Sequence, residues 1–294
     1  MKYKDLLSLS DLDRQTLENL AERAVSFATE WVNRTMPQSI AGTRVGLIAE
    51  LPGWRNPTAL SLGVAVMGGT CVPVNAGLEG AEPPEDLAAY LDNWFDLIAV
   101  RTPNLAKLRC FANALQCPVM NLRTNDNHPF EVLGDLAFVL SQRGRWDGLT
   151  VAMVGPAANI ARSWMEVAAV LPINVVQVTS SEFAFRSDLL PARMSVSTDP
   201  RAIEAADLIV TDCWSQGLTP EQKIDMERFR ITVDVLDRAR PDVLFVPCPP
   251  VTRGEEVSKD AMNHPRCFAS QAKAYLMHAQ NAFIEMALAD KLRV

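Results

Sequence analysis

Short apolar runs alternate along this chain with longer segments in which apolar residues recur at helical spacing. Apolar runs bounded by turn residues predict buried strands, and the helical spacing predicts amphipathic helices. Strands that alternate with helices form parallel sheets that helices cover on both faces. The pattern therefore predicts an α/β protein.

The predicted strands fall into two groups. The first comprises residues 44–50, 71–74, 96–102 and 118–122, and the second comprises residues 149–154, 174–178, 195–197, 207–211 and 243–246. Helices are predicted at residues 13–27, 58–67, 84–93, 104–115, 128–142, 159–171, 201–206, 220–228 and 271–288. We therefore expect two doubly wound parallel-sheet domains linked by helices, residues 1–142 and 143–270, with the C-terminal helix 271–294 packing back on the first.

The composition narrows the class of protein. The chain has 294 residues, of which 48% are hydrophobic, and a net charge of −7 from interspersed acidic and basic residues. This excludes a disordered chain, and it predicts neither a nucleic-acid surface nor a polybasic membrane patch. The sequence has no apolar run near the length of a membrane span, so we expect a cytoplasmic protein. Because the net charge is negative, an anionic ligand would need local arginines.

The six cysteines occur singly in apolar contexts, without a Cys-x-x-Cys pair. Metal sites and disulfide frameworks show tighter spacing, so we expect no metal. Five of the six, Cys71, Cys110, Cys117, Cys213 and Cys267, are expected to be buried structural thiols. For Cys248, which follows a predicted strand, a structural and a functional role are both open.

The predicted strand 243–246 ends at Pro-Cys-Pro-Pro, residues 247–250, and a charged segment, Arg-Gly-Glu-Glu, follows at 253–256. Open α/β sheets bind their ligands at the carboxyl ends of their strands. The stretch 242–257 is therefore a candidate functional loop.

The same stretch resembles the His-Cys-Leu-Pro loop of ornithine carbamoyltransferases and the Gly-Glu-Glu-Val segment that follows it. Cys248 and Pro250 match, whereas Pro247 replaces His and Pro249 replaces Leu. The resemblance spans nearly the whole chain from residues 5–12 onward. It implies a carbamoyltransferase-like fold, small-molecule substrates (carbamoyl phosphate and an amino acid or amine), no cofactor and a homotrimer.

The phosphate loop of that family reads Ser-Thr-Arg-Thr-Arg, and the corresponding residues 53–57 read Gly-Trp-Arg-Asn-Pro. Only Arg55 corresponds, so both hydroxyls are absent, and Pro57 removes an amide donor. We expect Asn56 to be the N-cap of the following helix, and the resemblance implies that Trp54, Arg55 and Asn56 contact the substrate. Trp54 either fills the phosphate site as a core residue or stacks on a ligand.

The resemblance assigns two further groups to the first domain. Arg101, at the end of its strand, would contact the phosphate or carbonyl, and His128 would polarise the carbamoyl oxygen. Glu131 replaces a family Gln, and its carboxylate would repel a dianion. Without the resemblance, Arg101 would be read as a surface charge and His128 as a helix-capping residue.

In the second domain the resemblance assigns the amino-acid acceptor to Asn159 and to the segment Asp-Cys-Trp-Ser-Gln-Gly, residues 212–217. Asp212 would hold the α-amino group, and Ser215 and Pro249 would contact the acceptor. Cys248 would act beside His128 and Arg101 as a catalytic group.

Two parts of the family pattern are missing. An arginine that precedes Leu-His-Ala-Gln in the family has no counterpart before residues 278–280, and the loop 75–86 is acidic and has no lysine. The first hypothesis is therefore a divergent ornithine-type carbamoyltransferase. The alternatives are a catalytically impaired paralogue that acts as a binding or assembly subunit, and a transferase that uses a less anionic donor.

Overall fold

Nine parallel strands form two sheets in the computed structural model, which describes residues 5–214 and 217–289. The chain divides into two units: unit 1 runs to Ser141 and resumes at Ala274, and unit 2 is Gln142–Lys273. The sheets have four and five strands. The predicted α/β class with two parallel sheets is confirmed.

Unit 1 contains the four-stranded sheet, in the order β2-β1-β3-β4. Its strands are β1 (Arg44–Ala49), β2 (Thr70–Val74), β3 (Leu97–Arg101) and β4 (Val119–Arg123). The helices along this part of the chain are α1 (Arg14–Val32), α2 (Arg55–Val66), α3 (Pro84–Leu91), α4 (Leu105–Ala114) and α5 (Pro129–Arg143). Strand β2 lies on one side of β1, and β3 and β4 lie on the other, so the strand order reverses between β1 and β3. The carboxyl ends of β1 and β3 are therefore the expected ligand position.

Unit 2 contains the five-stranded sheet, in the order β7-β6-β5-β8-β9. Its strands are β5 (Thr150–Val154), β6 (Asn174–Val178), β7 (Met194–Ser197), β8 (Leu208–Thr211) and β9 (Leu244–Pro247). Its helices are α6 (Asn159–Val170), α7 (Pro220–Glu227) and α8 (Val233–Arg238). Here the strand order reverses between β5 and β8, so the carboxyl ends of these two strands are the expected ligand position in unit 2.

The last helix, α9 (Ala269–Leu288), contacts other parts of unit 1. Phe283 meets the ring of Phe130 in α5 edge to face, with centroids 5.9 Å apart. Glu285 accepts two hydrogen bonds from Arg23 of α1, at 2.6 and 3.0 Å. A Cβ on Gly134 of α5 would lie 3.1 Å from a backbone nitrogen of α9, so the two helices approach closely.

Several sequence-based predictions need correction. Helix α1 continues five residues past its predicted end at 27, to the exposed Val32. The segment Pro200–Ala205 is a 3-10 helix, and α8 was not predicted. The predicted N-cap Asp13 is confirmed, since its carboxylate accepts a hydrogen bond from the Thr16 amide.

The prediction of five buried thiols is wrong for four of them. Cys117 is buried, whereas Cys110 is exposed and Cys71, Cys213 and Cys267 are partly buried. Cys110 faces solvent because its neighbours Leu108 and Phe111 supply the buried face of α4.

Two searches of the described residues gave negative results. None of the helices there combines the length and the apolar character that a bilayer crossing requires. Nor does that part of the chain contain a group of three or more histidine, cysteine, aspartate or glutamate side chains suited to a metal ion.

Candidate functional site

In unit 1, Arg101 lies at the end of β3, beside the loop that follows β1. Its Nε donates to the carbonyl of Leu51 at 3.2 Å, and its Nη2 donates to the carbonyl of Pro52 at 2.6 Å. Burial, together with the charge of Arg123, lowers the pKa of Arg101 to about 10. The guanidinium that the family pattern assigns to a substrate therefore binds the loop's own carbonyls.

Gly53 permits this position of Arg101. Its φ is +129°, and a Cβ built on it would lie 2.6 Å from Arg101 Nη2. A side chain at position 53 would be strained and would displace the guanidinium. The glycine that replaces the family's serine and the carbonyl-bound arginine are thus two parts of one arrangement.

Trp54 directly precedes α2, and its side chain is 67% exposed. The interpretation of Trp54 as a core residue that fills the phosphate site is therefore wrong. Arg55, the first residue of α2, places its guanidinium carbon 5.0 Å from the centroid of the indole ring. This is a cation–π contact on an accessible surface, and stacking of Trp54 on a ligand stays a prediction.

Asn56 is not the N-cap that the sequence predicted. Trp54 is the N-cap, two residues earlier than predicted, and α2 begins at Arg55. The buried Asn56 side chain accepts a hydrogen bond from Gln280 of α9 at 2.9 Å. Pro57 occupies the third helical position, where an amide has no acceptor within its own helix. The helix can therefore start at Arg55 without losing an internal hydrogen bond.

His128 and Glu131 are buried at the start of α5, with Nε2 and Oε2 4.0 Å apart. The charge of Glu131 also acts on Arg101, where it offsets part of the lowering of the pKa. The structure thus brings Arg101, His128 and Glu131 together in unit 1. The group combines one buried cation, an imidazole and a carboxylate.

In unit 2, Asp212 and Cys248 follow the neighbouring strands β8 and β9. The amide of Cys248 donates to the carbonyl of Thr211 at 3.0 Å, and the amide of Asp212 donates to the carbonyl of Val154 at 3.3 Å. Gly155, with φ of +139°, lies against Asp212: a Cβ there would be 3.4 Å from the Asp212 carbonyl oxygen. Both side chains are buried at the carboxyl edge of the sheet.

Asn159, the first residue of α6, is buried at the same edge of the sheet, after the Gly155 turn. Pro249 is partly buried directly after Cys248. Ser215 lies outside the described residues. Three predicted acceptor contacts therefore follow β5, β8 and β9 in the order that the resemblance implies.

Glu256 is a buried carboxylate near Asp212 that the sequence analysis did not single out. Burial, then the charges of Asp212 and Glu256, raise the pKa of the Cys213 thiol to about 12. The pKa of Glu256 itself is raised, mainly by burial, and the charges of Glu255 and Asp212 act in the same direction. In the sequence, the pair Glu-Glu after the strand was the only feature that pointed to Glu256. Adjacent glutamates are usually solvated surface charges.

Both halves of the chain match models of known domains. Residues 4–141 match the carbamoyl-P binding domain of aspartate/ornithine carbamoyltransferase, and residues 147–287 match its Asp/Orn binding domain. The chain belongs to the aspartate/ornithine carbamoyltransferase family.

Curated relatives and solved structures agree with this assignment. The ornithine carbamoyltransferase of Psychrobacter arcticus is 31% identical over 307 residues, which cover 100% of this chain and 99% of the relative. The crystal structure of ornithine carbamoyltransferase from Burkholderia thailandensis superposes with a TM-score of 0.90 at 27% identity, over 97% of this chain and 99% of that one. The enzyme from Thermus thermophilus gives 0.89 at 27% identity, over 98% and 100%. All three are transferases by name, in agreement with the interpretation of this chain as an enzyme.

Each of the two matching domains contains side chains that the sequence analysis assigned to a substrate site. In unit 2, Asp212, Cys248 and Asn159 are present at the carboxyl edge of the sheet. In unit 1, Arg55, Arg101 and His128 are present, but Arg101 is bound to loop carbonyls.

Proposed function

We propose that this protein is a divergent ornithine-type carbamoyltransferase, which transfers a carbamoyl group from carbamoyl phosphate to an amine of an amino acid or related acceptor. The observation that carries the proposal is the buried group of Asp212 and Cys248 at the point in unit 2 where the strand order reverses. That position is where open parallel sheets bind ligands, and a buried carboxylate suits an amine.

The reaction forms one C–N bond and breaks one C–O bond and one N–H bond. The acceptor's neutral amine nitrogen attacks the carbonyl carbon, the C–O bond to phosphate breaks, and phosphate leaves with the electron pair while the amine releases a proton. Catalysis here is positioning together with stabilisation of the developing oxyanion. The scheme uses no metal and no cofactor.

Each proposed residue has a distinct role. In unit 1, Arg55 and Arg101 bind the donor phosphate, and His128 donates a hydrogen bond to the carbonyl oxygen. In unit 2, Asp212 holds the non-reacting amino group of the acceptor.

The remaining acceptor contacts come from the neighbouring loops of unit 2. Asn159 binds the far end of the acceptor, and Cys248 with Pro249 lines the path of the attacking amine.

Donor affinity is expected to be weak. A phosphate here lacks the loop hydroxyls, and it competes with the carbonyls of Leu51 and Pro52 for Arg101. Charge-assisted hydrogen bonds contribute about 1.5–3 kcal/mol each, so the loss of several lowers affinity by orders of magnitude. We expect carbamoyl phosphate to bind in the millimolar range.

The test is isothermal titration with carbamoyl phosphate and with ornithine, beside a colorimetric assay for the ureido product. Binding and product formation that fall at least tenfold in Arg55→Ala and in His128→Ala would support the proposal. Arg109→Ala is the matched control, because Arg109 is a partly exposed unit 1 arginine paired with Asp11. Absence of both heat and product from a folded protein would overturn the ornithine transferase assignment.

One observation favours a second candidate, a binding or assembly subunit without catalysis. Because Gly53 has no side chain, the Arg101 guanidinium can donate its hydrogen bonds to carbonyls of the loop. The loop therefore does not need a phosphate as the acceptor for Arg101. In this case acceptor amines bind to unit 2, carbamoyl phosphate gives no heat, and no product forms.

A third candidate is a transferase for a less anionic donor. It rests on the buried Glu131 carboxylate beside His128, and it predicts product only with a neutral or monoanionic carbamoyl compound.

We also propose that the protein assembles as a homotrimer, and that it is cytoplasmic. Strand β2 is at the edge of its sheet, α2 packs against it, and Val72 and Leu62 are 41% and 43% exposed. An unpaired edge with apolar side chains is a surface that proteins normally cover. Light scattering should give three times the mass of the chain, and Val72→Lys should reduce it, whereas Val32→Lys, at an exposed apolar position on α1, should not.

A further inference from the structure

A cavity of about 370 Å³ lies in unit 1, between the end of α1 and the first half of α9. Helix α1 contributes Trp31 and Val32 to its lining, and α9 contributes Tyr275 and His278. All of its lining residues belong to unit 1. Pockets that hold small molecules have volumes of about 300–1,000 Å³, so the cavity is large enough for a ligand.

The imidazole of His278 is a buried polar group in the wall of this cavity. His278 is 3% exposed, and its Nδ1 is buried without a hydrogen-bond partner among the described residues. The ring meets Tyr275 edge to face, with centroids 6.0 Å apart. Buried polar side chains normally form hydrogen bonds, so the wall contains an imidazole whose hydrogen-bonding capacity the rest of the described fold does not use.

The imidazole is neutral at physiological pH. Burial lowers the pKa of His278 to about 4. A neutral ring has one N–H donor and one acceptor nitrogen, and the hydrogen bond that the ring makes sets which nitrogen carries the proton. The ring can therefore accept a hydrogen bond from an uncharged donor group inside the cavity.

The rest of the lining is uncharged as well. Trp31 and Tyr275 supply aromatic rings, and Val32 and two alanines supply aliphatic surface. The polar residues Thr29 and Asn33 are exposed, which places the mouth of the cavity beside them. A charged ligand would lose hydration here without gaining an opposite charge, whereas an aromatic ring would bury apolar surface against Trp31 and Tyr275.

Both aromatic side chains have contacts outside the cavity. The ring of Phe138 in α5 meets Tyr275 edge to face, with centroids 5.9 Å apart. The guanidinium carbon of Arg34 lies 5.9 Å from the centroid of the Trp31 ring. Each ring is therefore positioned without a ligand, which is typical of a preformed pocket.

We propose that this cavity binds a small uncharged aromatic molecule with one hydrogen-bond donor, which donates to the imidazole of His278. The ring of the ligand packs on Trp31 and Tyr275, and its donor pairs with the imidazole that the fold leaves without a hydrogen bond. The inference goes beyond the proposed function, because none of the residues assigned to carbamoyl phosphate or to the acceptor lines the cavity.

The test uses two probes that differ in one donor. Indole is an uncharged two-ring molecule with one N–H group, and 1-methylindole lacks that group. Calorimetry with wild-type protein should show saturable binding of indole, at least fivefold tighter than that of 1-methylindole. In His278→Leu, which removes the acceptor, the two probes should bind with affinities within about twofold of each other.

A second variant locates the binding. Ala274 is an exposed residue of the cavity lining, so Ala274→Trp fills the cavity from the surface and should weaken indole binding at least tenfold. Ala89→Trp is the matched control, because Ala89 is an exposed alanine of α3 outside the lining, and it should bind indole as wild type does. The thermal unfolding midpoint of each variant is compared with that of wild type first.

The outcomes are distinct from those of the transferase assay, because no measurement contains carbamoyl phosphate. Loss of the indole preference in folded His278→Leu, with loss of binding in folded Ala274→Trp, supports the inference. Absence of saturable indole binding to wild type overturns it. Equal binding of indole and 1-methylindole to wild type also overturns it, since the imidazole then has no part, and so does indole binding that survives in Ala274→Trp.

Discussion

Gln280 in α9 donates a hydrogen bond from its Nε2 to Oδ1 of Asn56 in the first turn of α2, at 2.9 Å and across 224 residues of chain. Both side chains are buried. In Gln280→Leu the Asn56 oxygen stays buried without its donor, which costs about 1–3 kcal/mol. Urea unfolding should show this loss as a lower midpoint with an unchanged slope.

Gln271→Leu is the matched control, because Gln271 is an exposed glutamine of the same helix. It should change the free energy of unfolding by less than about 0.5 kcal/mol. Equal effects of the two substitutions would mean that the Gln280–Asn56 bond contributes nothing beyond helix propensity.

Gly53→Ala should destabilise the protein by about 1–3 kcal/mol, because its φ of +129° strains a side chain and the new methyl group displaces Arg101. Gly144→Ala separates the two effects: Gly144 has φ of +68°, and nothing lies within 4 Å of its Cβ position. The comparison uses thermal or urea unfolding. A smaller loss for Gly144→Ala is expected, and equal losses would show that contact with Arg101 has no energetic weight.

His278 should make stability depend on pH. Burial lowers its pKa from 6.5 to about 4, so between these values the unfolded chain binds the proton that the folded protein does not. The folded state is therefore fully stabilised above pH 6.5 and loses at most about 3 kcal/mol as the pH falls to 4. The test is urea unfolding of wild type and of His278→Gln from pH 7.5 to 4.5. The free energy of unfolding of wild type should fall relative to that of the variant as the pH falls. A difference between the two proteins that does not change with pH would contradict the prediction.

Thiol labelling of the native protein should begin at Cys110. It is the exposed cysteine of the described residues, whereas Cys117 and Cys248 are buried. The pKa of Cys213 is about 12, which leaves almost no reactive thiolate at neutral pH. Maleimide labelling with peptide mass spectrometry tests the order. Cys110→Ala should remove the fast phase, and fast modification of Cys117 would refute the assigned burial.

The sequence predicted the sheets because their signal is local. A run such as Leu244–Pro247 is apolar throughout and ends at proline, which identifies a buried strand without knowledge of its neighbours. The parallel arrangement then puts Asp212 and Cys248 at one edge, since both follow strands. Their proximity could be predicted before the structure.

Tertiary partners could not be predicted in this way. Asn56 has the residue type and position of an N-cap, and only the distant Gln280 explains why the helix starts earlier. Glu256 has the pattern of a surface charge, and its burial depends on the path of the loop back to Ile231. In both cases a contact between distant segments outweighs the local preference.

The path of α9 also affects the order in which the protein can be completed. The helix begins in unit 2 and ends in unit 1, so the ribosome finishes unit 2 before it has supplied the last part of unit 1. Until Glu285 emerges, Arg23 and Phe130 lack their partners on α9. A nascent chain arrested before residue 274 should hold a complete second unit and an incomplete first one, and the first would be the unit that needs protection from aggregation.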